Sequence, residues 1–92
     1  MPTIQLTVLN SVGLHARPAA LFVRTSAQFH CDIKISNRTN CSGAVNAKSI
    51  LSILTLGVEK GHQILVEAAG DSADKALTAL QELVESNFGE DK

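Results

Sequence analysis

GLHARPAA, residues 13–20, joins a strand-like run to a helix-like run. Pro18 lacks an N–H group and has a fixed φ, so a helix tolerates it in the first turn but not deeper inside. The helix should therefore begin near Ala16 or Arg17. This places His15 at the end of the preceding turn, directly before the first helical residue.

The predicted helix start, formed by Ala16, Arg17 and Pro18, is suited to an anion. The first N–H groups of a helix have no intrahelical partner and carry the positive end of its dipole. Arg17 adds a guanidinium that can hold phosphate oxygens in pairs. Only a neutral imidazole attacks phosphorus, and nearby positive charge favours the neutral ring. We therefore predict that His15 accepts a phosphoryl group; a helix-capping histidine beside a solvated arginine is the alternative.

Composition narrows the class of protein. A length of 92 residues predicts one domain, residues 1–92, and 45% hydrophobic with 18% charged residues is typical of a globular chain. A net charge of −1 and 3% aromatic residues argue against nucleic-acid binding. The chain opens without a basic and apolar leader, and no apolar run approaches about 18 residues. We therefore expect no membrane insertion and a cytoplasmic location.

No cofactor or metal is expected. His30, Cys31, Cys41 and His62 lack the paired spacing of metal ligands. The glycines are dispersed and form neither a dinucleotide-binding fingerprint nor a phosphate-binding loop. The two cysteines fall at opposite ends of a predicted hairpin, too far apart for a disulfide, so both are expected to be free thiols.

Hydrophobic periodicity predicts the element order β-α-β-β-α-β-α. Strands are predicted over residues 3–8, 31–36, 41–47 and 62–69. The third is the weakest, because Gly43 and Asn46 suit a strand poorly, and it is expected at an edge. The order predicts an α+β two-layer sandwich with the helices on one face of a mainly antiparallel sheet.

Two longer helices follow from their apolar stripes. The first, over residues 16–29, carries Ala19, Phe22, Val23, Ser26 and Ala27. The last, capped by Asp71 or Ser72, carries Ala73, Ala76, Leu77, Leu80, Leu83, Val84 and Phe88. Arg24 is expected on the outer face of the first helix, near His15 or one turn beyond, as a solvated charge or a partner contact.

A short helix is predicted between Ser49 as N-cap and Gly57. Its apolar residues surround it, and a short surface helix cannot bury every face. Ile53 and Leu56 are expected to point inward. The side chains expected to form an exposed docking patch are Ile50, Leu51 and Leu54.

The stretch 13–20 resembles the active-site motif of the HPr family, the histidine-containing phosphocarriers of the bacterial sugar phosphotransferase system. A second segment, with Lys48, Ser49 and Ile50 followed by Ile53, Leu56 and Gly57, is similar to the regulatory serine signature of that family. The two motifs stand at the separation usual in the family. The resemblance thus covers essentially the whole chain, and it implies a four-stranded open-faced sheet with three helices.

The resemblance also implies a function. His15 would take a phosphoryl group on Nδ1 from Enzyme I, charged by phosphoenolpyruvate, and pass it to sugar-specific EIIA proteins. Arg17 and the helix amides would hold its oxygens, so that the chain is a carrier, expected as a monomer, rather than a complete enzyme. The family positions that contact partners correspond to Ala20, Arg24, Lys48, Ile50, Leu51 and Leu54.

Ser49 has two interpretations. It has a sufficient structural role as an N-cap. In some bacterial lineages the corresponding serine is also phosphorylated by an HPr serine kinase/phosphorylase, and regulators then recognise it. For the whole chain two further alternatives remain: a relay in another branch, such as nitrogen-linked control or dihydroxyacetone phosphorylation, and a regulatory protein that binds without relaying phosphate.

Overall fold

A computed structural model describes residues 2–89 of the chain. The elements run in the predicted order: β1 Thr3–Thr7, α1 Ala16–Ala27, β2 Cys31–Asn37, β3 Val45–Asn46, α2 Ile50–Leu54, β4 Gln63–Gly70 and α3 Ala73–Glu85. A 3-10 turn, Asn87–Gly89, follows α3. None of the helices within residues 2–89 has the length and hydrophobicity that a bilayer crossing requires.

The four strands form one sheet in the spatial order β1-β4-β2-β3. Every neighbouring pair is antiparallel, which confirms the predicted sheet. Val66 of β4 lies between Ile4 of β1 and Ile35 of β2, so the central strand aligns apolar residues across the sheet. Because side chains alternate along a strand, this register collects the apolar ones on one face.

Three helices cover that apolar face, as predicted for an open-faced α+β sandwich. The core between the two layers includes Leu6, Ile33, Ile35, Ile64, Val66, Ala68, Ala19, Phe22, Ile53, Ala76, Leu77, Leu80 and Val84. Full burial of a large side chain such as Phe22 contributes roughly 1.5–3 kcal/mol. In the part of the chain that the structure describes, no helix covers the opposite face of the sheet, which carries the exposed Gln5, Asp32, Lys34 and Gln63.

The third strand is much shorter than predicted. Residues 41–47 were expected to pair, but only Val45 and Asn46 do, opposite Ile35 and Lys34. The chain before them makes a turn in which Cys41 has a φ of 59°. This turn is closed by hydrogen bonds between Asn37 and Ser42. The predicted edge position of β3 is confirmed, and both cysteines are free thiols, with Cys31 buried and Cys41 exposed.

The two long helices end earlier than predicted. The first ends at Ala27, which is exposed, so its place in the apolar stripe was wrong; the buried line ends at Ser26. The last helix ends at Glu85, and Phe88 reaches the core through the 3-10 turn, where its φ is 57°. Ser72 is the N-cap of α3 as predicted, but in a left-handed conformation without a side-chain capping bond.

One fully buried polar side chain, Asn37 at the end of β2, holds several loops together. Its Nδ2 donates to the carbonyl of Leu56 at 3.1 Å and lies 3.1 Å from Nδ1 of His62. Its Oδ1 accepts the backbone N–H groups of Thr39 at 3.0 Å and Asn40 at 3.4 Å. A buried amide with all its donors and acceptors used stabilises one arrangement of the loops around it.

We expect Asn37→Ala to lower the free energy of unfolding by about 2–3 kcal/mol, because it removes this amide from a buried site and leaves backbone N–H groups without an acceptor. Asn40→Ala is the matched control. The exposed side chain of Asn40 donates only one hydrogen bond, to the carbonyl of Leu56 at 3.1 Å, so its loss should cost below about 1 kcal/mol. Urea unfolding of both variants measures the difference; equal midpoints would contradict the role assigned to Asn37.

Candidate phosphoryl-acceptor site

His15 is the N-cap of α1, as the position of Pro18 predicted. Its backbone is extended, with φ −81° and ψ −168°, and its carbonyl accepts the N–H of Ala19 at 2.8 Å. Its imidazole makes no capping hydrogen bond and is exposed. The ring is therefore available to a partner rather than used to hold the helix.

The amides of Ala16 and Arg17 are the free donors next to this ring. Pro18 supplies no N–H, and Ala19 already donates to the carbonyl of His15. Ala16 and Arg17 are exposed, whereas the ring of Pro18 is buried against the core. The first turn thus joins two unpaired amide donors, the positive end of the helix dipole and a guanidinium, which is a suitable environment for phosphate oxygens.

The turn before His15 is closed on itself. Nδ2 of Asn10 donates to the carbonyl of Gly13 at 2.9 Å, and the N–H of Gly13 donates to the carbonyl of Asn10 at 3.2 Å. Asn10 is only 3% exposed, although it lies in a loop. A loop lacks the regular backbone hydrogen bonds of a helix or a strand. Here the buried side chain of Asn10 forms a hydrogen bond within its own turn, which gives the loop a defined shape.

Gly13 and Leu14 hold the turn against the segment that follows α2. The N–H of Leu14 donates to the carbonyl of Val58 at 3.0 Å. Gly13 has a φ of +64°, and a Cβ on it would lie 2.4 Å from the carbonyl oxygen of Val58 and 2.6 Å from Cα of Glu59. Only glycine permits both this conformation and this close approach. This contact therefore fixes the position of the backbone that directly precedes His15.

The outer face of α1 continues from the site. Arg17, Ala20 and Arg24 are all exposed, and their spacing puts them on one side of the helix. Arg24 lies in the last turn, so its predicted place within one turn of His15 was wrong. The helix contains no acidic residue, which leaves this face positively charged.

The short helix α2 has the exposure pattern that the sequence predicted. Ser49 caps it and accepts the N–H of Ser52 at 3.3 Å. Ile53 and Leu56 are buried. The exposed fractions of the other apolar side chains are 37% for Ile50, 74% for Leu51 and 39% for Leu54.

Helices α1 and α2 lie side by side and run in opposite directions. Leu14, before α1, bonds to Val58, after α2. At the other end Nζ of Lys48, before α2, donates to the carbonyl of Phe29, after α1, at 2.8 Å. The basic face of α1 and the apolar side chains of α2 are therefore neighbours. Lys48, predicted to bind a partner, is half-buried, and its ammonium group donates one hydrogen bond to this internal contact.

Two exposed apolar residues were missed in the sequence. Leu9 and Val12, in the loop that leads to His15, are 59% and 41% exposed. Apolar side chains within a predicted turn are the signal that could have identified them, because a turn offers little core to bury them. No three His, Cys, Asp or Glu side chains within residues 2–89 lie together as metal ligands would.

Comparison with known proteins decides the family. A family model described as "PTS HPr component phosphorylation site" matches residues 2–86. The chain belongs to the HPr family. Membership makes it a phosphocarrier-type component of the phosphotransferase system, as the motif around His15 indicated.

Individual HPr-family proteins agree along the whole chain. Phosphocarrier protein HPr of Pseudomonas aeruginosa is 36% identical over 90 residues, which cover 98% of each chain. The multiphosphoryl transfer protein of Vibrio cholerae is 39% identical over 88 residues, but these span only 22% of that longer protein. The crystal structure of HPr-C-His from Thermoanaerobacter tengcongensis superposes with a TM-score of 0.93 at 42% identity and covers 100% of both chains.

We expect Gly13→Ala to destabilise the protein by about 2–4 kcal/mol and to move the His15 backbone, because the new Cβ would overlap the backbone of residues 58–59. Gly43→Ala is the matched control, since no atom lies within 4 Å of its Cβ position and its φ is not positive. Urea unfolding gives the stability, and amide NMR shifts of residues 14–17 report the backbone. Equal effects of the two substitutions would contradict the packing role of Gly13.

Proposed function

We propose that this HPr-family chain relays a phosphoryl group from Enzyme I, charged by phosphoenolpyruvate, to sugar-specific EIIA acceptors. The observation that carries the proposal is the exposed, uncommitted imidazole of His15 beside the free amides of Ala16 and Arg17. An acceptor that must meet one donor and several recipients needs an open site of this kind. We also propose that residues 1–92 act as a single monomeric domain in the cytoplasm.

In the proposed step, the lone pair on Nδ1 of His15 attacks phosphorus. The bond between phosphorus and the nitrogen of the donor phosphohistidine breaks, and its electron pair returns to the donor ring. The donor ring, protonated on its other nitrogen, leaves as a neutral imidazole. His15 keeps its proton on Nε2 and becomes a phosphorylated imidazolium, so no proton has to move during the transfer itself. Charge on the transferred oxygens is balanced by the amides of Ala16 and Arg17 and by the Arg17 guanidinium.

The chain supplies only part of the machinery for this transfer, so we infer a carrier rather than a complete enzyme. Because the site is exposed, each partner can complete it with its own groups and release the carrier afterwards. A tightly enclosed phosphohistidine would be held too firmly to be donated onward. This argument agrees with the nature of the HPr family as phosphocarriers.

The proposed docking surface joins Arg17, Ala20 and Arg24 on α1 to Ile50, Leu51 and Leu54 on α2, with Lys48 at its end. We name it the α1–α2 surface. Its basic and apolar composition suits partners that present acidic side chains around an apolar centre. Such contacts should be small and short-lived, as a relay requires.

Ser49 lies at the edge of the α1–α2 surface, and we propose it as a regulatory phosphorylation site for a serine kinase/phosphorylase of this system. Phosphorylation would add a charge of about −2 next to Ile50 and Leu51. The helix N-terminus tolerates that charge, but an acidic partner would be repelled.

Intact-mass analysis tests the acceptor. After incubation with phosphoenolpyruvate and Enzyme I, the wild type should gain one acid-labile phosphate and His15→Ala none, because only His15 is expected to accept it. His30→Ala is the control, since His30 is also exposed but lies after α1. Arg17→Ala should slow uptake by about 10–100-fold without changing the final mass. Phosphate on His15→Ala would refute the assignment of His15 as the acceptor. If the wild type accepts phosphate only from donors of another branch, the chain serves that branch and not sugar uptake.

Steady-state transfer from Enzyme I tests the docking surface. Ser49→Asp and Leu51→Ala should raise the concentration of carrier that gives half-maximal rate by about 5–50-fold, because they remove docking free energy of roughly 1–2 kcal/mol. Ser72→Asp is the control for Ser49→Asp, since Ser72 is also a helix N-cap but lies near Gly70, at the end of β4 remote from His15. An unchanged value for both test variants would exclude docking through α2.

A further inference from the structure

The peptide group between Val58 and Glu59 is held from both sides. Its carbonyl accepts the N–H of Leu14 at 3.0 Å, and its N–H donates to Nδ1 of His62 at 3.2 Å. A peptide group is planar and turns as one unit. The hydrogen bond to His62 therefore helps to set the direction of the carbonyl that holds Leu14, the residue directly before His15.

The surroundings of His62 determine which of its nitrogens carries the proton. Nδ1 faces the N–H of Glu59 and, at 3.1 Å, Nδ2 of Asn37. The Asn37 amide cannot be turned around, because its Oδ1 accepts the N–H groups of Thr39 and Asn40. Both groups that face Nδ1 are donors, so Nδ1 supplies a lone pair and the neutral ring carries its proton on Nε2.

The backbone of His62 is also held in place by two hydrogen bonds. Its N–H donates to the carbonyl of Glu59 at 2.9 Å, and its carbonyl accepts the N–H of Val8 at 2.9 Å. Asn37, which lies on the other side of Nδ1, is fully buried. Nδ1 of His62, which accepts the N–H of Glu59, is thus held at the ends of β1 and β2. Through the Val58–Glu59 peptide, its position influences the position of the His15 turn.

We propose that His62 is a positioning residue for phosphoryl transfer at His15. It acts through the Val58–Glu59 peptide and touches neither phosphate nor partner. Without the Nδ1 acceptor the N–H of Glu59 would turn toward water, and the carbonyl of Val58 would leave Leu14. The inference rests on the proposed function of His15, but the hydrogen-bond path itself is independent of it.

Two substitutions of His62 distinguish the effect of its hydrogen-bond acceptor from the effect of its size. His62→Asn places Oδ1 close to where Nδ1 lies and keeps an acceptor for Glu59. His62→Leu keeps a side chain of similar size but removes the acceptor. His30→Leu is the control for loss of a histidine, because His30 is exposed and lies between α1 and β2.

The first readout is hydrogen exchange at the amide of Leu14, followed by NMR. His62→Leu should accelerate this exchange at least about tenfold relative to core amides of β4, whereas His62→Asn and His30→Leu should stay within about threefold of wild type. The second readout is transfer from Enzyme I. His62→Leu should lower the maximal rate by about 10–100-fold, because the imidazole is misplaced. The half-saturating concentration should stay unchanged, because the α1–α2 surface is intact.

Several outcomes would overturn the proposal. One is equal exchange at Leu14 in the Leu and Asn variants; another is a His62→Leu protein that is less stable yet transfers phosphate at the wild-type maximal rate well below its melting temperature. If His62→Leu does not fold, imidazole ¹⁵N shifts of the wild type decide, since a proton on Nδ1 of His62 contradicts the hydrogen-bond path. If wild type accepts no phosphate, the proposed function fails, while the exchange data still test whether His62 holds the turn.

Discussion

The backbone contact between the His15 turn and the segment after α2 determines the geometry of this protein's site. Leu14 donates to Val58, and Gly13 lies so close to Glu59 that a side chain on it would overlap the backbone. The two segments are distant in the chain, yet their contact fixes where α1 begins and thus where the imidazole stands. At the other end of the two helices Lys48 bonds to Phe29, and together with the packing of α1 on α2 this keeps the basic and apolar halves of the α1–α2 surface side by side.

Two kinds of interaction support this contact, and they have different roles. The apolar core between helices and sheet supplies most of the stabilising free energy, but apolar packing is not directional. Directional bonds around Asn37 and Asn10 select one loop arrangement out of many that the core would allow. The side chains of Asn37 and His62 meet at the end of the sheet that adjoins the His15 turn.

The open site is consistent with the work of a carrier. His15, Arg17 and three apolar side chains of α2, those of Ile50, Leu51 and Leu54, are exposed because nothing within residues 2–89 forms a further layer over the two helices. If His15 carries the phosphoryl group, as proposed, burial of its imidazole would strengthen the hold on phosphate but block donors and recipients. The side chains of His15 and Arg17 thus lie at the surface, while the backbone contacts that position them lie beneath the site.

Local chemistry in the sequence was enough to predict the element order, the start of α1, the position of His15 directly before that helix and the exposed side of α2, since each depends on residues close together in the chain. The extent of β3, the place of Phe88 and the distance of Arg24 from His15 were wrong, because turn closure and helix length depend on contacts made elsewhere. The link from Asn37 and His62 to the Val58–Glu59 peptide had no sequence signal at all. The Glu59–His62 bond is local, but its two ends meet Asn37 and Leu14, which lie far from them in the chain, and only tertiary structure decides which distant donors and acceptors meet.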